Sequence, residues 1–166
     1  MSNMVYLMTS LPSLTFGQKP PILMNDFIED AKSQLSARHF SKLALVDLEL
    51  MDAKKGGIKS VVALVKDVKH DLNEVRNAKV QNRPAKFARL PKAVLTGNPL
   101  QREENILKWQ WEELDTIEAG KTFTLTEVMV YKLKLQILLR LHSFDKNKGA
   151  KVLASVVNPS KNEEDK

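Results

Sequence analysis

Ile58, Val61, Val65, Val68, Leu72 and Val75 recur at alternating spacings of three and four residues, the pattern of a helix with one buried seam. The face opposite this stripe carries Lys, Asp, His, Asn and Glu. Upstream, Asn25 is suited to cap a helix over residues 26–35, with Asp26, Glu29 and Asp30 near its positive end and Phe27, Ile28, Ala31 and Leu35 on one face. Ser36 opens a second helix whose apolar positions are Phe40, Leu43, Ala44, Leu50 and Met51; Lys54, Lys55, Gly56 and Gly57 mark its end. The seam that follows is too short for a free-standing coiled coil, so the pattern predicts an antiparallel helical hairpin across Gly56-Gly57.

Pro84, Pro91 and the run Gly97-Asn98-Pro99 make residues 78–99 extended or turn. A further helix is expected from Leu100 to Ala119, with Ile106, Leu107, Trp111, Leu114 and Ile117 as its apolar stripe and Trp109 off it. After Gly120, the sequence Thr124-Leu-Thr-Glu127 fits a capping box for a helix from Leu125 to Ser143. That helix is apolar around most of its circumference, with one polar line of Lys132, Gln136 and Arg140, and is expected to be central. Lys134 points away from the line into the apolar side. A last helix is expected over residues 148–157, stopped by Asn158-Pro159. The fold class is therefore all-α: a helical lobe at residues 1–77, a Pro-containing basic linker at 78–99, a second helical lobe at 100–157 and a disordered tail at 158–166.

Charge sharpens this outline. From Arg76 to Lys92 there are six basic residues, Arg76, Lys79, Arg83, Lys86, Arg89 and Lys92, and no acid; the remaining twenty basic residues match the twenty acids. The chain is a neutral body with one basic strap. Residues 83, 86, 89 and 92 would line one edge of a polyproline-like segment, a row suited to phosphates or carboxylates. Phe87 is the only aromatic interleaved with these charges, where single-stranded nucleic acid calls for several. An acidic protein surface is the leading partner, the chain's own acids would account for the charge equally well, and nucleic acid is the alternative. Trp109 is the candidate apolar docking residue and Lys134 a further candidate contact.

The absence of cysteine removes disulfides, thiolate metal sites and thiol nucleophiles. His39, His70 and His142 lie far apart with no partner at ligand spacing, and Asp145-Lys-Asn-Lys-Gly-Ala fails as a calcium loop because Ala150 and Val156 occupy its key positions. No phosphate-binding or nucleophile motif is present. No catalytic residue, cofactor or metal is therefore expected. Met1 to Gln18 carry no side-chain charge, yet Ser10, Pro12, Ser13, Thr15 and Gly17 interrupt the apolar run, which fits neither a signal peptide nor a membrane span. This segment is expected to be tied down by Tyr6, Leu7, Leu11, Leu14 and Phe16, in a cytoplasmic protein.

The opening Tyr6–Pro21, "YLMTSLPSLTFGQKPP", followed by Phe27–Ser36, "FIEDAKSQLS", resembles the start of a family of small bacterial proteins encoded among the subunits of V/A-type ATPases. Asn98–Gly149 is similar to the end of the same family. That family in turn resembles the larger helical component of V-type ATPases that caps the membrane rotor ring and holds the central stalk; the likeness is strongest around Tyr131 and Lys134. The chain is shorter than that rotor-cap component and has Gln136 near an expected acidic position. The resemblance implies a non-catalytic subunit or accessory or assembly protein, contacting ATPase subunits and reaching the membrane only through their complex.

Overall fold

A computed structural model describes residues 3–49 and 58–144. Among these residues it is all-helical: α1 (Met4–Ser10), α2 (Met24–Gln34), α3 (Ala37–Ala44), α4 (Lys59–Val80), a single 3₁₀ turn (Lys92–Leu95), α5 (Pro99–Glu118) and α6 (Leu125–Ser143). The expected helix over residues 148–157 and the tail after it lie outside the described residues.

α6 is the hub. Val128, Met129, Val130, Leu133, Leu135, Ile137 and Leu138 bury it around most of its circumference, and α1, α2, α3, α4 and α5 all pack against it. A helix without an apolar stripe can be stable only when surrounded in this way. α5 contributes Ile106, Leu107, Trp111, Leu114 and Ile117, all buried as its periodicity predicts. The two helices form a hairpin through a turn that needs a left-handed residue, supplied by Gly120 at φ +71°. The core joins Phe27, Leu43, Val61 and Val65 from before the strap to Leu114 and Leu133 after it. The two spans expected as separate lobes thus share one hydrophobic core.

The uncharged opening segment is tied down. Leu7 is fully buried, and Met8, Leu11, Leu14 and Phe16 pack on the core. Phe16 meets the Trp111 ring edge-on at 5.6 Å, and the Tyr131 hydroxyl donates to the Pro12 carbonyl at 2.8 Å. Tyr6, expected as an anchor, is instead exposed beside Val5.

Several local expectations change. α2 starts at Met24, so Asn25 lies inside the helix rather than capping it. Ser36 does cap α3, accepting from the His39 backbone N–H. That helix ends at Ala44 instead of continuing to Lys55. The reason is a tertiary competitor: Lys132 Nζ donates to the carbonyls of Leu43 (3.1 Å) and Val46 (2.6 Å), and the Gln136 side chain accepts from the Leu48 N–H. A cation at a helix C-terminus is favoured by the helix dipole, and it satisfies carbonyls that would otherwise need the next turn. α3 and α4 do not pack on each other; α3 packs on α2 and α6, and α4 on α5 and α6. Among the described residues the hairpin expected between them does not form; Leu50, Met51 and the Gly56-Gly57 turn lie outside those residues. At Thr124 the box is also rearranged. Glu127 accepts from the Phe123 N–H, and the Thr124 hydroxyl donates to the Lys121 carbonyl. The reciprocal box forms at α5 instead, between Asn98 and Gln101.

Candidate functional site

α4 presents two different surfaces, one to the strap and one to a cleft. On the strap side, Asp71 is fully buried and its carboxylate accepts three consecutive backbone N–H groups, from Ala88 (2.8 Å), Arg89 (2.9 Å) and Leu90 (2.8 Å), with His70 Nδ1 at 3.3 Å. Burial by itself would raise the Asp71 pKa, but these donors together outweigh it and hold the group below its ordinary value. One turn on, Glu74 accepts a two-pronged contact from Arg83 and the Lys86 N–H at 3.1 Å. The Arg83 guanidinium, helped by that backbone donor, brings the Glu74 carboxyl down to about 2. Arg89 reaches the other way, to Glu113 on α5 at 2.7 Å and to Asp67 at 3.6 Å. The strap is thus extended as expected, but its basic residues do not form one free edge. Arg83 and Arg89 are consumed by the chain's own acids. Arg76, Lys79, Lys86 and Lys92 are exposed and make no ion pair among the described residues.

The remaining candidates separate from the strap. Trp109 is half-buried against the core rather than presented outward. Lys134 is only 8% exposed; its ammonium lies 2.6 Å from Asp115 and 2.5 Å from Glu118, and 5.3 Å from the centre of the Trp111 ring. These contacts fasten α6 to α5 and occupy the charge that Lys134 would otherwise offer a partner. Tyr131, on the same side, is pushed up to about 12 by burial and stacks on Phe27 at 5.4 Å. Burial pushes the Lys132 ammonium down, with Asp47 partly opposing.

On its other side α4 faces α5 across a cleft of about 260 Å³. Val68, Leu72, Ile106 and Leu107 form its apolar wall, and Lys69, Arg76, Gln110 and Arg140 supply polar groups. Arg140 is neutralised by Glu49 (2.9 Å) and Glu103 (2.6 Å). Gln110, an uncharged amide, has no comparable partner among the described residues. It is 6% exposed, and among the described residues its carboxamide makes no hydrogen bond. Among those residues His39 Nδ1 is the one fully occluded side-chain polar atom without a partner, so the Gln110 amide keeps its opening to the cleft.

Sequence reasoning missed both Asp71 and Gln110. The signal was present: Gln110 falls between Ile106, Leu107, Trp111 and Leu114 in the apolar stripe of α5, and Asp71 stands three residues after the buried Val68. No group of three or more potential metal-ligating side chains is found among the described residues, and no described helix is long and apolar enough to cross a membrane.

The arrangement is that of an all-helical protein with paired interior charges and, along one helix and its strap, a set of cations that have no counter-charge among the described residues. A family described as "Protein of unknown function (DUF2764)" matches residues 50–164, and the chain belongs to it. No curated protein and no solved structure matches the chain.

Proposed function

We propose that this chain is a non-catalytic cytoplasmic subunit, or an accessory or assembly protein, of a V/A-type ATPase, acting by contact with the central stalk and rotor. The resemblance carried by Tyr6–Pro21, Phe27–Ser36 and Asn98–Gly149 supports the reading. The structural observation that carries it is the division of the basic residues. Arg83 and Arg89 serve the fold, while Arg76, Lys79, Lys86 and Lys92 stay exposed and unpaired among the described residues. Cations kept in water and out of internal pairs steer association with an acidic surface and give it a marked salt dependence. Attachment to the membrane would be indirect, through the complex.

The test is recovery of the tagged full-length protein from its own cells at low and moderate salt, with and without nuclease. The expected result is co-purification of ATPase subunits, unaffected by nuclease and reduced at the higher salt. Recovery of nucleic acid with no ATPase subunit at either salt overturns the reading and favours a nucleic-acid-binding role. Within the complex, Lys86→Glu combined with Lys92→Glu should weaken association and flatten its salt dependence; unchanged salt dependence excludes the strap as the docking surface.

A further inference from the structure

The apolar seam of α4 does not end where the core ends. Val61, Val65 and Val68 are buried, but Leu72 and Val75 continue the same spacing of three and four as half-buried residues. Leu72 lines the α4–α5 cleft, with Gln110 deep in it and Arg76 at its side. A seam of this kind is completed by another helix, whose side chains enter between the ridges already present. The cleft, at about 260 Å³, falls below the roughly 300–1,000 Å³ typical of small-molecule sites. It suits a few side chains of a docked segment better than a cofactor.

The charge of that segment follows from what surrounds the cleft. Among the charged residues that line it, Arg140 is paired with Glu49 and Glu103, whereas Arg76 has no ion pair among the described residues. Among the described residues Lys69 donates only to the Glu49 carbonyl, at 3.2 Å, and meets no carboxylate. The excess is positive. The Gln110 carboxamide, open to the cleft and without a hydrogen bond among the described residues, offers a docked segment one acceptor and a donor pair.

We propose that the α4–α5 cleft is the docking groove for an acidic amphipathic helix of a partner protein, with Leu72 in the apolar seam, Gln110 bonding a polar side chain and Arg76 pairing a carboxylate. This deepens the ATPase reading and takes the partner from it; the groove itself is argued from the cleft alone.

A photo-cross-linking residue at Asn73, on the cleft rim, is compared in cells with one at Thr122, on the exposed α5–α6 turn. The expected adduct forms from position 73 only, and its peptide carries apolar residues at spacings of three and four with a net negative charge. Gln110→Leu and Arg76→Glu should each lower the adduct yield roughly tenfold, the order of one lost hydrogen bond to a charged group. Gln110→Leu should fold at least as stably as the parent, so its loss of adduct cannot be assigned to unfolding. No adduct at 73, equal adducts from both positions, a basic peptide, or full yield from both variants would overturn the groove. If ATPase subunits still co-purify in any of those cases, the ATPase reading stands without it. An acidic helical peptide from a protein outside the ATPase supports the groove and overturns the ATPase reading.

Discussion

The strap and the cleft both lie against α4, yet their polar groups are arranged in opposite ways. On the strap side, the buried Asp71 carboxylate meets three backbone N–H groups, and Glu74 and Arg83 answer each other. On the cleft side, Gln110 is almost as buried and has no hydrogen-bond partner among the described residues, while Arg76 has no counter-charge there. A buried polar group destabilises a fold unless its hydrogen bonds are remade inside. The strap follows that rule, and it takes up Arg83 and Arg89 internally while Lys86 and Lys92 stay exposed. In the cleft the Gln110 amide instead keeps its opening, which leaves its donors and acceptor available to a partner.

The contrast can be broken most decisively at Asp71. Asp71→Ala strands three N–H groups of the strap and should cost about 3 kcal/mol or more in urea unfolding, since each bond to a charged acceptor contributes on the order of 1.5–3 kcal/mol and not all are lost to water exposure. Trypsin should then cut faster at Lys86 and Arg89. A cost below about 1 kcal/mol would mean that the strap is not held by this carboxylate.

The opposite sign is expected across α4. Gln110→Leu replaces an unpaired amide by an apolar group of similar size in an apolar stripe, and should raise stability by about 1 kcal/mol in the isolated protein. A loss of stability would show that the amide is already satisfied.

Acid sharpens the strap half of the comparison. The Glu74 carboxyl lies at about 2 in the folded chain against an ordinary 4.5. A carboxyl lowered by folding contributes stability that is complete above its unfolded value and disappears as pH falls through its folded one. The stability difference between the parent and Glu74→Gln should therefore be constant above about pH 4.5 and shrink towards pH 2. Asp71, also lowered by folding, works in the same direction. A difference that stays flat across that window would exclude Glu74 as a charged partner of Arg83.

The smallest effect is expected at Arg76. Because it is exposed and unpaired among the described residues, Arg76→Ala should change unfolding stability by no more than about 0.5 kcal/mol. A larger loss would place Arg76 in the fold's own machinery, like Arg83.

How much of this was legible beforehand depended on distance along the chain. The α4 and α5 stripes, the Ser36 cap, the stop at Gly120 and the extended strap at Pro84 and Pro91 could all be read from the sequence, because helical period, capping and proline geometry act over a few residues. The apolar girth of α6 likewise announced a surrounded helix. The sequence by itself therefore determined an all-helical chain, most of its long helices and the position of its basic strap. Only the tertiary structure decided which polar residues lie inside and with whom. Lys132 ends α3 from 86 and 89 residues away, Asp71 binds backbone 17 to 19 residues downstream, and Gln110 is left without a partner among the described residues at a helix crossing. Whether a polar side chain is satisfied depends on groups brought together by packing, and no local pattern of hydrophobic and polar positions carries that information.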